Sequence, residues 1–274
     1  MMNTLVLPPR ALIGMVHVGA LPGSPGSKRS IQELAGAAVA EAEVLADAGF
    51  AGLIVENMHD RPYVNGPHGP ELVAAMTRVC LAVREAAPNL VMGVQVLSAG
   101  EREALAVAHA CGAQFIRCEN FVFSQVADEG LMARGVAGDL LRYRRHIGAE
   151  SVKVFADIDK KHASHALTAD LSMTDWAEAA EFFGVDGVIV TGKSTGKASS
   201  VEQVAEVRRA TRLPVLVGSG VTPAQVGELF QHSDALIVGT WIKNEGVWTN
   251  PVDAARCKAL IEAARAVPKV GANP

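Results

Sequence analysis

The amino-acid sequence predicts a single (β/α)8 TIM barrel that takes up the whole chain, residues 1–274. Short apolar runs of strand length recur along the sequence, and an alanine-rich amphipathic stretch of helical length follows nearly all of them. Such alternation is typical of a parallel α/β fold. Eight units in one run favour a closed barrel over an open doubly wound sheet, which usually has fewer strands and a GxGxxG turn after the first strand. No such turn is present there, and no linker or low-complexity segment divides the chain.

Each element is placed by its own pattern. The predicted strands are 11–17, 51–56, 90–96, 114–118, 151–157, 186–190, 214–217 and 235–238. The predicted helices are 31–48, 71–87, 101–111, 136–147, 174–183, 200–210, 223–231 and 251–266. Ser30 precedes the first helix as a candidate N-cap, and Thr222 precedes Pro223, which suits a first helical position. Two long loops, 18–30 and 57–70, are candidate lids or plain surface loops.

Composition argues against some partners and compartments. A formal net charge of −4 and an aromatic content of 5% offer neither a basic field nor a stacking surface, so no nucleic-acid partner is expected. Four cysteines without a CxxC pair, Cys80, Cys111, Cys118 and Cys257, indicate reduced core residues and a cytoplasmic location. No secretory signal or transmembrane segment is expected, whereas peripheral membrane association and homo-oligomers stay open.

Two segments near the C-terminus, 214–221 and 235–240, are apolar strands that run straight into glycine turns. In (β/α)8 barrels the loops after the last two strands, with a nearby helix N-terminus, commonly hold a phosphate through backbone N–H groups. Glycine suits this role because a side chain would keep the phosphate away from those donors. The candidate phosphate-binding residues are Gly218, Ser219, Gly220, Gly239 and Thr240. The alternative is that both are ordinary βα turns.

Polar residues at the strand ends indicate a catalytic site. Side chains alternate along a strand, so an inward His17, Glu56, Gln95, Arg117 and Asp157 would place Met15, Ile54, Gly93, Phe115, Glu119, Phe155 and Lys153 inward as well. His17 and Glu56 are candidates for acid/base catalysis, and Arg117 for an anion or carbonyl clamp. Alternatively, Glu56 with Arg117 and Lys153 with Asp157 are ion pairs that only fill the barrel.

Lys153 and two polar segments carry further hypotheses. An amine among apolar strands has a lowered pKa and forms Schiff bases, but a neighbouring Asp157 would keep Lys153 charged. The segment 157–165 has the carboxylate and imidazole content of a divalent-metal site, but its spacing matches no strong motif, so no metal or other cofactor is assigned. Residues 187–194 fit the letters of a P-loop, yet Gly187 opens the strand, so a flexible loop over 191–197 is preferred.

Four stretches of the chain together resemble the BtpA/SgcQ family. They are GMVHVGALPGSPG at 14–26, GLIVENMHD at 52–60, RCEN at 117–120 and PVLVGSGV at 214–221, and the first is the most specific. The resemblance implies a fold similar to the ribulose-phosphate-binding barrels, with the phosphate at 218–220 and 239–240. It implies no settled reaction: some members are linked to photosystem I biogenesis as extrinsic membrane proteins, and others look like neighbours of sugar metabolism.

The sequence therefore predicts a barrel enzyme for a small phosphorylated substrate, a sugar phosphate or phosphoribosyl compound. His17, Glu56, Lys153 and Asp157 are the expected proton-transfer groups, and Arg117 orients the substrate. Aldol-type cleavage, isomerisation and glycosidic cleavage of a nucleoside-like substrate stay open. The alternative, from another functional class, is a non-catalytic assembly or stability factor for a membrane complex.

Overall fold

The computed structural model describes residues 7–160, 162–192 and 200–268. Its strands are β1 (Ala11–His17), β2 (Gly52–Glu56), β3 (Val91–Gln95), β4 (Phe115–Cys118), β5 (Gln125–Ala127), β6 (Gly130–Met132), β7 (Lys153–Ile158), β8 (Ala163–Ser164), β9 (Gly187–Thr191), β10 (Val215–Gly218) and β11 (Ala235–Val238). Its α-helices are α1 (Ile31–Ala48), α2 (Pro70–Ala86), α3 (Glu101–Cys111), α4 (Ala137–His146), α5 (Met173–Phe182), α6 (Val201–Ala210), α7 (Val226–Leu229) and α8 (Ala254–Ala266).

Eight parallel strands close into the predicted (β/α)8 barrel, in the order β1-β11-β10-β9-β7-β4-β3-β2. The helices pack around it because each presents an apolar face to the outward side chains of the strands. Local signals fix where helices begin and end. Ser30, Ser172 and Ser200 each close a capping box at a helix start, and Gly49 ends α1 in the left-handed conformation that glycine adopts without strain.

The barrel interior is filled by a separate apolar cluster of inward side chains. Its two largest members, Phe115 and Phe155, lie with ring centroids 5.2 Å apart. Each ring faces a glycine that is its register partner on the next strand, Gly93 for Phe115 and Gly187 for Phe155. A Cβ at either glycine would overlap the ring, so the small residues make room for the large ones. Met15 and Ile54 belong to the same cluster, which confirms the predicted inward parity.

Three features differ from the sequence prediction. A small antiparallel sheet, ordered β6-β5-β8, stands outside the barrel, and its strands of two or three residues are too short to show a periodic pattern. The helix expected at 223–231 is only the four residues of α7, and that expected at 251–266 begins at Ala254. Two 3₁₀ turns, Thr240–Ile242 and Asn244–Gly246, occupy the connection after β11 instead.

The structure also bears on the P-loop pattern at 187–194 and on the prediction of no transmembrane segment. Gly187 opens β9, as the argument against a P-loop required, but residues 193–199 lie outside the described part, and with them most of the expected flexible loop. Among the residues that the structure describes, no helix combines the length and the apolar character needed to cross a bilayer.

Candidate active site

The strand register brings polar side chains to one level at the carboxyl end of the barrel. His17 pairs with Glu56, and Glu56 pairs with Gln95, across β1, β2 and β3. Arg117 near the end of β4 and Asp157 near the end of β7 complete the ring of inward groups. All five line one cavity of about 280 Å³. The structure thus brings together every predicted catalytic residue except Lys153.

Contacts with Trp248 and Glu56 help to orient His17. Its Nδ1 lies 3.2 Å from the carbonyl oxygen of Trp248, and because a carbonyl only accepts, Nδ1 carries the proton there. Its Nε2 lies 3.6 Å from Oε2 of Glu56, and both side chains are nearly buried. With Nδ1 as the donor to Trp248, Nε2 is the nitrogen that faces the Glu56 carboxylate.

Arg117 and Asp157 form a buried bidentate ion pair. The guanidinium donates from Nε and Nη2 to the two carboxylate oxygens of Asp157, each at 2.9 Å. Burial by itself lowers the pKa of Arg117, but the Asp157 carboxylate outweighs it, with help from Glu56 and Glu119, and the net pKa is raised. The alternative prediction, which paired Glu56 with Arg117 and Lys153 with Asp157, is wrong. Arg117 pairs with Asp157, and Glu56 contacts His17.

The structure places Lys153 away from the candidate site, contrary to the prediction. It begins β7, four residues before Asp157, so it lies at the amino end of the barrel rather than at the site. Its Nζ pairs with Asp186 at 3.1 Å, and Asp186 also accepts from Arg144 at 2.6 Å. The candidate site lies at the level of Asp157, four residues further along the strand.

Lys160 is the lysine of the cavity, and the sequence reasoning missed its role. It follows β7 in the segment that suggested a metal site, is 8% exposed, and pairs with Oε1 of Glu119 at 3.2 Å. Burial lowers the pKa of Lys160, but Glu119 and Asp157 raise it further than burial lowers it. Lys160 is thus held as a cation. Across the described residues, no group of three or more histidine, cysteine or acidic side chains is close enough to hold a metal ion.

Two buried acceptors in the cavity wall have no hydrogen-bond partner among the residues that the structure describes. Gln95 donates its amide to Oε1 of Glu119 at 3.2 Å, yet Oε1 of Gln95 and Oε2 of Glu119 accept no hydrogen bond from the described residues. An unsatisfied buried acceptor costs roughly 1–3 kcal/mol. Both residues line the cavity, so ligand hydroxyl groups are the donors that would suit them.

The two glycine turns lie in the same cavity. Ser219, Gly220, Gly239 and Thr240 line it, while Gly218 is buried beside Arg117. Ser219 and Gly220 have positive φ angles of 86° and 68°. The hydrogen bonds of the described residues include none donated by the backbone N–H groups of Ser219, Gly220 or Gly239.

Neither turn leads directly into an α-helix, because α7 begins at Val226 and α8 at Ala254; the second turn leads into the 3₁₀ helix Thr240–Ile242. Backbone amides, with the hydroxyl groups of Ser219 and Thr240, are donors in this part of the cavity. Gly239 also faces His17: a Cβ there would lie 3.6 Å from Nε2 of His17 and 3.3 Å from Cγ of Met15. The missing side chain leaves space beside Nε2 of His17.

Trp248 is a second residue that no sequence signal pointed to. It belongs to the connection between β11 and α8. Its indole ring contacts the His59 ring, with centroids 5.0 Å apart, and the Arg61 guanidinium lies 4.8 Å from the ring centroid. Through these contacts and its carbonyl it links His17 to the long loop after β2.

Known proteins resemble this chain in sequence. A family model described as the BtpA family matches residues 9–266. An uncharacterized mitochondrial protein of Caenorhabditis elegans is 43% identical over 255 residues, which are 92% of this chain and 91% of that protein. The Photosystem I biogenesis protein BtpA of Synechocystis sp. is 34% identical over 256 residues, 92% of this chain and 87% of its own length.

Solved structures resemble it in fold. Thiamine phosphate pyrophosphorylase from Pyrococcus furiosus matches with a TM-score of 0.58 and 10% identity, over 96% of this chain and 97% of that one. (S)-3-O-geranylgeranylglyceryl phosphate synthase from Thermoplasma acidophilum, in complex with sn-glycerol-1-phosphate, also reaches 0.58, with 16% identity and 94% of each chain covered. At these identities the likeness shows a shared barrel fold.

Proposed function

The chain belongs to the BtpA family, as its motifs predicted, and from that premise we propose that it is an enzyme that acts on a small phosphorylated compound by acid/base catalysis. One observation carries the proposal: a single cavity contains both the glycine turns and the buried charged side chains. Thiamine phosphate and sn-glycerol-1-phosphate, which appear in the names of the two solved neighbours, are small phosphorylated molecules of this kind.

The glycine turns bind the phosphate in this proposal. Backbone N–H groups at Ser219, Gly220 and Gly239 have no protein acceptor among the described residues, and a phosphate oxygen is a strong acceptor for them. The hydroxyl groups of a sugar then meet the unpaired acceptors of Gln95 and Glu119. A sugar phosphate or phosphoribosyl compound satisfies both sets of groups, which an unphosphorylated sugar does not.

Proton transfer is assigned to His17. Nε2 faces the space left by Gly239, and Glu56 at 3.6 Å stabilises the imidazolium that forms when Nε2 takes a proton. Arg117 and Lys160 are buried, ion-paired cations of the cavity, and they stabilise negative charge that develops on a substrate oxygen.

This arrangement supports proton transfer at a carbon next to a carbonyl, as in isomerisation or aldol-type cleavage, because both reactions pass through an oxyanion. Imine formation requires a free amine, whereas Lys160 is held as an ammonium group by Glu119 and Asp157. Lys153 is ion-paired at the amino end of the barrel. The lysine chemistry considered from the sequence therefore has no support in the cavity.

Binding is the first test. Ribose 5-phosphate and ribulose 5-phosphate, each at about 100 times its Kd, should stabilise the protein by about 2.7 kcal/mol and raise the Tm by about 5–10 °C. Ribose should give no shift. Gly239→Ala places a methyl group beside His17 and should abolish most of the shift, whereas Gly36→Ala, on α1 with no atom within 4 Å of its Cβ position, should retain it. Equal shifts with ribose and ribose 5-phosphate would contradict the phosphate site.

Proton exchange in D2O is the second test. The protein should exchange the proton next to the carbonyl of a bound ketose phosphate, which NMR detects as loss of a signal. His17→Asn should slow this exchange by about 100-fold or more while Kd changes little, because the side chain acts on the proton and not on the phosphate. Exchange at the unaltered rate would remove His17 from the proposed role.

A scaffold in membrane-complex assembly is the alternative, which the name of the Synechocystis relative suggests. The exposed rings of Phe182 and Phe183, 86% and 51% accessible, favour it as a contact surface. In cells that depend on this protein, His17→Asn with Glu56→Gln should abolish function if it is an enzyme. Phe182→Ser with Phe183→Ser should do so if it is a scaffold.

A further inference from the structure

A second cavity of about 660 Å³ adjoins the candidate active site. His17 and Arg61 line both cavities, so the two meet at these side chains. One wall is the face of α1 around Ala37 and Ala40, and the opposite wall is the connection before α8, including Pro251. We refer to this second cavity as the α1 groove.

Positive side chains dominate the rim of the α1 groove. Lys28 and Arg29, from the loop after β1, line it together with Arg61 and His59 from the loop after β2. Glu41 is the carboxylate among the described lining residues. It is already neutralised, because its Oε2 pairs with the buried Lys243 at 2.7 Å and its Oε1 accepts the N–H of Val252 at 3.2 Å.

The neighbouring cations affect the pKa of His59. Burial, and then Lys243, Arg61 and Arg29, lower the pKa of its imidazole, so His59 is neutral at pH 7 and keeps one N–H donor. Its ring packs against the Trp248 indole, and the Arg61 guanidinium lies over the same indole. Two of the polar groups at the mouth of the α1 groove are thus positioned by one aromatic side chain.

The loop that carries Lys28 and Arg29 is anchored rather than loose. The backbone N–H of Leu21 donates to Oδ1 of Asp60 at 2.6 Å, and Asn57 donates to the other carboxylate oxygen at 3.0 Å. Ser30, directly after the two cations, is fixed by the capping box of α1. The loops after β1 and β2 therefore form one rim with the basic side chains on it.

We propose that the α1 groove is a second anion subsite, which binds a phosphate or diphosphate group while the first phosphate occupies the glycine turns. The inference rests on the proposed function, because it takes the glycine turns as the first site. The second group belongs either to the same molecule, which is then a bisphosphate, or to a separate phosphorylated co-substrate or product. Small apolar side chains of α1 contact the carbon skeleton between the charged ends.

Calorimetric titration with matched anions tests the proposal. The probes are ribulose 5-phosphate, ribulose 1,5-bisphosphate and inorganic pyrophosphate, the last with and without saturating ribulose 5-phosphate. In wild-type protein the bisphosphate should bind about ten-fold more tightly than the monophosphate, or pyrophosphate should bind about ten-fold more tightly with saturating ribulose 5-phosphate than without it. A gain for the bisphosphate identifies one two-ended substrate, and a gain for pyrophosphate identifies a separate molecule.

Variants locate the second subsite. Lys28→Gln with Arg29→Gln should remove that ten-fold gain and change monophosphate affinity less than two-fold. Ala37→Glu, which puts a carboxylate on the exposed wall of the α1 groove, should have the same selective effect without removing a cation. Arg209→Gln with Arg212→Gln makes the same change in net charge on exposed residues of the opposite half of the chain, and it should alter neither affinity.

The outcomes separate the two proposals. Monophosphate binding without any gain from a second anion would overturn the α1 groove subsite and leave the proposed function standing. An equal loss for monophosphate and bisphosphate in the Lys28 and Arg29 variant would also overturn it, because that loss reflects only long-range charge. A failure of every phosphorylated probe to bind would overturn both.

Discussion

At the scale of single residues, the site holds its buried charges in pairs. Arg117 with Asp157, Lys160 with Glu119, and the contact of His17 with Glu56 each join a potential cation to a carboxylate. Removing a charge from water is costly, and it is tolerated here because each charge faces its opposite. A barrel that needed only stability could fill this level with apolar residues, so the pairs support the proposed function.

Asp157→Asn tests this balance. It leaves the Arg117 guanidinium buried without its bidentate partner, and the loss of one member of a buried pair costs roughly 3–5 kcal/mol. Glu56 and Glu119 also face the guanidinium, so the lower end of that range is expected. Urea unfolding at pH 7 measures the change. The control, Glu150→Gln, breaks the exposed pair with Arg145 and should leave the free energy of unfolding unchanged. Equal losses in the two variants would show that the buried pair stabilises the fold no more than an exposed one.

At the scale of elements, the strands and most helices follow from the sequence, and the connections do not. Alternation of side chains was enough to place Met15, Ile54, Phe115 and Phe155 in the barrel and to bring His17 to the site. The cavity residues that were missed come from connections without a period, where the path of the chain depends on tertiary contacts. Lys153 stands four residues before Asp157 on the same strand, about 13 Å at the usual rise of a β-strand, so counting residues along the strand already argued against assigning it to the site.

Gly93→Ala tests the packing between neighbouring strands. The new methyl group would overlap the buried Phe115 ring, and overpacking of a close-packed core typically costs about 1–3 kcal/mol. Phe115→Leu alone should also destabilise, by leaving a cavity. The double variant should be more stable than the sum of the two losses predicts, because each change relieves the other. Denaturant unfolding of the four proteins measures this coupling, and simple additivity would refute the proposed contact.

At the scale of the whole molecule, one buried carboxyl makes stability depend on pH. Glu101 begins α3, is 4% exposed, and its Oε1 has no partner among the described residues. Burial raises the pKa of Glu101 to about 7. A hydrogen bond from the residue's own backbone opposes this rise, and the charge of Glu119 adds to it. The folded protein thus keeps the carboxyl neutral at a pH where the unfolded chain has released the proton.

The direction of the effect follows from this difference. Below pH 4.5, the ordinary pKa of the group, Glu101 is protonated in both states and its contribution to stability is fully present. As the pH rises towards 7 the unfolded state binds fewer protons than the folded state, so the free energy of unfolding falls. Above about pH 7 both states are ionised and the loss is complete. At roughly 1.4 kcal/mol for each pH unit between the two pKa values, the loss is about 3 kcal/mol.

Glu101→Gln should remove this pH dependence, because the amide keeps the shape of the carboxyl and does not ionise. Relative to wild type, the variant should gain about 3 kcal/mol in its free energy of unfolding between pH 4.5 and pH 8. Urea unfolding at four pH values across that interval measures the difference, which cancels the titration of all other groups. Glu103→Gln, on the same helix and half-exposed, serves as the control and should follow the wild-type curve. If the Glu101→Gln curve also ran parallel to wild type, Glu101 would titrate normally in the fold, and the pH dependence would have to arise at another group.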